Sequence, residues 1–226
     1  MPNPVFALTW DQDGERLYET GVDHGVLFPR TGGTYGTGVA WNGLTSVEEN
    51  PSGAENTAVW ADNIKYLNLT SAEDYGFTIG AYTYPDEWAE CDGSKAVKPG
   101  IYIGQQERKK FAFSWRSRIG NDEDGTEHGY KIHIAYNCSA SPSSRSHNTI
   151  NDSPEAAEMS WEVTTTPTPV TGHKPTAHIY IDSTLVDAAK LEAFESILYG
   201  TAASGNNSAV APRCPLPDEI ANTIFA

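Results

Sequence analysis

Cysteine and basic charge are both scarce in this chain. Its 226 residues hold three cysteines, Cys91, Cys138 and Cys214, an odd number with no Cys-x-x-Cys spacing. That pattern excludes a disulfide framework and offers no structural zinc motif. Lys and Arg number 15 against 30 Asp and Glu, a net charge of -15. A surface so acidic repels phosphates at long range, which disfavours reading of duplex DNA and docking on anionic membranes. No stretch approaches the ~20 consecutive apolar residues that span a bilayer, so no membrane partner is expected. The first residues carry Asp11, Asp13 and Glu15 and no basic, apolar-cored leader, which predicts a chain made in a cytoplasm. Without a secretory signal, the N-x-S/T matches at Asn68, Asn137, Asn151 and Asn206 read as chance.

What is present is alternation. In "KKFAFSWRSR" Phe111, Phe113 and Trp115 alternate with Ala112, Ser114 and Arg116. In "GYKIHIAYNC" Tyr130, Ile132, Ile134 and Tyr136 alternate with Lys131, His133, Ala135 and Asn137. Each reads as a strand with one buried face. Weaker alternation marks "YGFTIGAYTY", "EMSWEVT" and "TAHIYID", while "GVAWNGLTSV" and "IKYLNLT" add two more strands. About seven strands punctuated by Gly, Pro, Asn and Asp predict a mainly β domain, a β-sandwich or incomplete barrel. One flanking α-helix is expected in "VDAAKLEAFESILYG", capped by Asp187, ended at Gly200 and striped by Leu191, Phe194 and Leu198. A short helical turn is also expected near Ser71 to Tyr75. Residues 1–30 read as an extended N-terminal segment, 31–200 as a single β-domain without internal repeats, and 201–226 as a proline-containing C-terminal arm.

The stretch "RIGNDEDGTEHGYKIH" crowds Asp122, Glu123, Asp124 and Glu127 around Gly125 and His128. With Gly125 at the sixth position of an EF-hand loop, Asp122 and Asp124 fall correctly at the third and fifth. Gly120 then occupies the first and Lys131 the twelfth, so two essential oxygen ligands are missing. Four acids in one glycine-containing turn also share one environment, unlike a working acid/base pair. A register setting Trp115 opposite Ile134 aligns the apolar faces of the flanking strands, which makes the stretch the polar tip of a long hairpin. On that register Arg116, Arg118, Lys131 and His133 share the outward face. They predict contact with an acidic surface, including that of another copy of the chain. Arg116, Arg118, Asp122, Glu123, Asp124, Glu127 and Lys131 are therefore the inter-subunit contact candidates. His128 and His133 fall on opposite faces of a strand and are not expected to share a metal.

Other stretches supply no catalytic signature. "TGGTYGTG" lacks the Lys-Ser/Thr ending of a phosphate loop and leads into a strand. Asp86, Glu87, Glu90 and Asp92 surround Trp88 in "YPDEWAECDG", which reads as an acidic turn anchored by its Trp. No serine lies in a G-x-S-x-G setting, and the histidines are scattered. The expectation is no enzyme, no cofactor and no metal. A hydrolase built on Asp86, Glu87 and Glu90 is one alternative to a structural role. A carbohydrate-binding β-sandwich using Trp41, Trp60 or Trp88 as a stacking platform is another.

"NPSGAENTAVWADNIKY" followed by "EDYGFTIGAYTYPDEWAECDG" resembles major tail proteins, the tail tube proteins of long-tailed bacteriophages (siphoviruses) of Gram-positive hosts. The similar features are Pro51, Gly53, Ala54 and Glu55, then Ala61-Asp62-Asn63 with Tyr66, Tyr75-Gly76, and Pro85-Asp86-Glu87-Trp88. The runs "RIGNDEDGTEHGYKIH" and "INDSPEAAEMSWEVTTTP" are similar to one branch of the family, and the likeness spans roughly residues 20 to 200. The resemblance implies a structural virion protein whose homo-hexameric rings stack into a hollow tail tube. It implies a tape measure protein in the lumen and tail terminator and distal tail proteins at the tube ends. It further implies assembly in the host cytoplasm and passage of genomic DNA during ejection without specific binding. An acidic lumen wall would suit that passage, because it repels phosphates.

Overall fold

The computed structural model describes residues 8–150, 152–153, 155–205 and 208–226. In chain order the strands begin with β1 (Tyr18–Thr31), β2 (Thr34–Tyr35), β3 (Val39–Trp41), β4 (Leu44–Glu49) and β5 (Ser52–Gly53). Next come β6 (Asn56–Ala61), β7 (Ile64–Thr70), β8 (Glu73–Asp74), β9 (Gly76–Ala81), the short helix α1 (Trp88–Cys91), β10 (Lys95–Lys98) and β11 (Ile101–Ile103). The long central hairpin is β12 (Phe111–Asn121) and β13 (Gly125–Ala140), followed by β14 (Met159–Thr164) and β15 (His178–Asp182). Helix α2 (Ala188–Leu198), the single turn α3 (Pro217–Glu219) and a π-helical turn over Ile220–Ile224 complete the chain.

Nine strands form one antiparallel sheet in the order β2-β1-β12-β13-β14-β9-β4, with β3 added to β1 and β15 to β13. The sheet curls until β4 returns against β1, which gives an incomplete barrel. Close approach at that seam requires a glycine. A Cβ on Gly25 would meet Leu44 Cδ1 at 2.6 Å and the Trp41 carbonyl at 3.0 Å.

Two cores result, one on each side of β12 and β13. Inside the barrel lie Leu27, Trp41, Phe77, Ile79, Trp88, Phe113, Trp115 and Trp161. Around Trp88 the rings pack at tilted and edge-to-face angles, with Trp41 at 4.7 Å and Phe111 at 5.0 Å, while Phe113 stacks on Phe77 and Trp115. On the outer face Phe28, Ala112, Ile132, Ile134, Tyr136 and Ile181 meet Leu191, Phe194 and Leu198 of α2. Asp187 caps α2 as expected, its carboxylate accepting from the amides of Ala189 and Lys190. Gly200 takes φ +74° just beyond the helix, where a Cβ would press on the Val210 carbonyl at 2.6 Å.

Several expectations need correction. Trp115 pairs with His133, not Ile134, a register one residue away from the expected one. The alternation left this open because both faces of the hairpin are covered: Ala112 and Ser114, expected outside, are wholly buried. A one-residue slip exchanges every face. Arg116 and Arg118 consequently share the α2 side with Tyr130, while Lys131 and His133 lie on the barrel side with Trp115. Residues 18–30 of the expected N-terminal arm are strand β1, hydrogen-bonded along β12. The C-terminal segment docks on its own core: Cys214 and Ile220 are buried, and the Tyr136 hydroxyl donates to the Pro215 carbonyl at 3.0 Å. Around Ser71 to Tyr75 there is the short strand β8 and no helix. All three cysteines are free and buried. Among the described residues no helix is long and apolar enough to cross a membrane.

Candidate functional site

The hairpin tip is tighter than expected. Asn121 opposes Gly125 across Asp122, Glu123 and Asp124. The Asn121 carboxamide oxygen accepts from the amides of Glu123 (3.1 Å) and Asp124 (2.5 Å), and its amide nitrogen donates to Asp124 at 3.2 Å. The acids then diverge. Asp122 accepts from the Gly14 and Arg16 amides and from the Arg16 guanidinium at 2.9 Å, tying the N-terminal segment to the tip. Asp124 contacts His128 at 3.1 Å, Glu127 accepts from Arg118 at 3.0 Å, and Glu123 lies beside Gly14. These carboxylates staple a turn and do not converge on one cation.

The candidate cations already have acidic partners within the chain. Arg116 grips Asp23 of β1 through Nε at 2.6 Å and Nη2 at 3.0 Å, with its guanidinium 4.9 Å from the Tyr130 ring centroid. Arg118 divides between Asp23 and Glu127. Lys131 pairs with Glu19 of β1 at 2.6 Å on the opposite face. The complementary acidic surface expected for the basic hairpin is supplied here by β1. Asn137 is likewise structural, accepting from Arg30 at 2.7 Å and from the Tyr35 hydroxyl at 3.2 Å. Asn151 and Asn206 lie outside the described residues.

The acidic turn near Trp88 is anchored as expected, with Trp88 wholly buried. Glu90 is paired with Lys109, and Asp92 with Arg108 at 3.3 Å and Arg145 at 2.5 Å. Trp41 and Trp88 therefore present no face to a sugar, while Trp60 is 67% exposed.

Trp60 belongs to one of two surfaces the sequence did not disclose. Strands β6 and β7 form a separate hairpin around Asp62 and Asn63, both at positive φ, the conformation of a tight primed turn. Every residue of β7 is exposed, and the hairpin's exposed large apolar side chains are Trp60 of β6 and Ile64, Tyr66, Leu67 and Leu69 of β7. A second separate hairpin, β10–β11, turns at Gly100 and is also exposed throughout, with Val97, Ile101, Tyr102 and Ile103. The Asp-Asn turn was a readable hairpin signal. The lack of any supporting surface beneath it was not.

A third feature joins residues distant in sequence. At the barrel mouth Trp115, His133 and His178 lie in near-parallel planes, His133 with its ring centroid 5.0 Å from Trp115 and 5.3 Å from His178. Tyr75 stacks on His178 at 4.6 Å. His133 Nδ1 is 3.2 Å from His178 Nε2 and 3.7 Å from a Glu49 oxygen. Its Nε2 is 3.0 Å from Ser117 Oγ, which donates to Glu19 at 2.6 Å. Burial alone would raise Glu19, but Lys131 and Ser117 hold its carboxyl below the usual range. Burial also pushes His133 down to about 4 and His178 to about 3, so both rings are neutral at neutral pH. An open cavity of about 220 Å³ reaches His133 past Glu19, Glu49 and Ser117.

No protein-family model matches the chain, and no curated protein matches it. One solved structure that aligns with it is an extracellular contractile injection system, the PVC sheath-tube complex in its extended state. The alignment covers 70% of this chain and 88% of that one, at 12% identity and a TM-score of 0.30. Similarity at that level carries neither fold nor function across.

Proposed function

We propose that the protein is a structural, non-enzymatic subunit that assembles with copies of itself through its projecting hairpins. The observation that carries this reading is the pair of two-stranded hairpins β6–β7 and β10–β11, with large apolar side chains in the open: β7, β10 and β11 are exposed at every residue, and β6 is exposed or half-buried. An isolated two-stranded hairpin is marginally stable at best in water, and contiguous exposed apolar surface marks an interaction site. A second copy is the partner that lets one sequence satisfy both hairpins, since a heterologous contact joins different patches of identical subunits and forms a ring where the rotation closes. The resemblance to tail tube proteins gives the finer form of the proposal: hexameric rings stacked into a hollow virion tail tube. The tape measure protein would fill the lumen during assembly, the terminator and distal tail proteins would cap the ends, and DNA would pass later. The net charge of -15 suits such a lumen, whose wall must not hold phosphates. In that setting the tip acids Asp122, Asp124 and Glu127, held by Arg16, His128 and Arg118, shape the end of the longest hairpin, and a neighbouring subunit would meet that tip and Glu123.

Sedimentation and negative-stain microscopy over a concentration series test this reading, comparing wild type with a Trp60→Ser, Tyr66→Ser double variant. Wild type should form rings or tubes. The variant should remain monomeric with an unchanged thermal midpoint, because β6–β7 supports no part of either core. Assembly of the variant at wild-type concentrations would contradict the proposal.

A further inference from the structure

We infer that His133, His178 and Glu49 form a binding site for a zinc-class divalent cation at the barrel mouth. The three donor atoms lie within 4.8 Å of one another. A tetrahedral cation with bonds of about 2.0–2.1 Å holds its ligand atoms about 3.3–3.4 Å apart. The separations of 3.2 Å between the two imidazole nitrogens and 3.7 Å from His133 Nδ1 to Glu49 bracket that spacing. Glu49 is half-exposed, so a change of rotamer brings its carboxylate into place.

The surrounding hydrogen bonds orient the donors. Ionised Glu19 only accepts, so Ser117 donates to it and accepts in turn from His133 Nε2–H. The neutral ring then carries its proton on Nε2 and its Nδ1 accepts from His178 Nε2–H; a cation entering between them takes that proton's place, with His178 shifting its own proton to Nδ1. Such a partner on the non-ligating nitrogen is the usual support for a metal-binding histidine. Rigidity comes from Trp115 and Tyr75, which stack against the two rings. The open cavity supplies an entry path and room for a fourth, exchangeable ligand.

Two imidazoles and one carboxylate in a compact site select a borderline cation such as Zn²⁺ over Mg²⁺ or Ca²⁺, which require more oxygen ligands. The ligands come from β13, from β15 and from the last residue of β4, the seam strand of the barrel. Bound cation would clamp the seam to the opposite edge of the mouth and favour the folded state by mass action.

Thermal melts with ZnCl₂, with MgCl₂ and with chelator, alongside visible spectra of the Co²⁺-loaded protein, test the site. Zinc at a hundredfold excess over its Kd should raise the midpoint by about 5–10 °C, and magnesium should not. Co²⁺ should give the intense visible bands of a tetrahedral centre. Glu49→Gln, on a half-exposed side chain, should weaken binding at least about tenfold without disturbing the fold. His178→Gln should abolish the Co²⁺ bands. The absence of both the midpoint shift and the bands in wild type would overturn the site. Unchanged binding in Glu49→Gln would overturn it too, by placing the cation on other histidines such as His24, His128, His147 or His173, whether or not His178→Gln folds.

Discussion

Arg116 shows how a charged residue on a strand changes meaning once its partner is known. On sequence alone it belongs to a basic face seeking an external acid. In the fold it is mostly buried and bidentate on Asp23. Burial works against the ionised carboxyl, but Arg116 and His24 outweigh it and hold Asp23 at about 2. The unfolded value is about 3.9, so the unfolded chain binds more protons between the two values. The stabilisation is therefore complete above about pH 4 and lost as pH falls through about 2. Urea melts should show Asp23→Asn with a flatter acid-side loss than wild type between about pH 5 and pH 2, and parallel curves would contradict the linkage. Arg116→Ala should cost about 2 kcal/mol at neutral pH, read from the urea midpoint. Charge reversal at Arg116 sets two acids side by side and perturbs the fold, so it is not a clean probe of assembly. Its acidic partner was unreadable because Asp23 lies 93 residues away and the register between β1 and β12 shifts on both sides of it.

Among the elements, the strands of strongest alternation and the capped helix were legible, because period and capping are local properties. The register of β12 against β13 was not. One-sided alternation specifies register only when one face is buried, and here Phe113 and Trp115 serve the barrel while Ala112 and Ile134 serve the helix layer. The histidine site was hidden for a similar reason: His133 and His178 stand 45 residues apart, and only pairing of β13 with β15 brings them together. The barrel seam gives an element-scale prediction. Gly25→Ala drives a methyl into Leu44 and the Trp41 carbonyl, and should lower stability by about 1–3 kcal/mol in urea melts. An unchanged midpoint would mean that β4 is free to move away from β1.

At the scale of the whole molecule, the barrel and the helix layer satisfy each other, while two apolar hairpins and a large negative charge are left unsatisfied. Net charge was readable from composition, and the repulsion of phosphates proposed for it rests on like charge alone. The hairpins were only half readable: β7 was legible as a strand, but its lack of support depends on where the rest of the chain goes. Hydrogen exchange reports on self-assembly at the hairpins themselves. Amides of residues 56–70 and 95–103 should exchange rapidly in dilute monomer and become protected in concentrated samples, while those of β12 and β13 stay protected throughout. Hairpin exchange that is the same at both concentrations, or already as slow as the barrel in the monomer, would contradict the account.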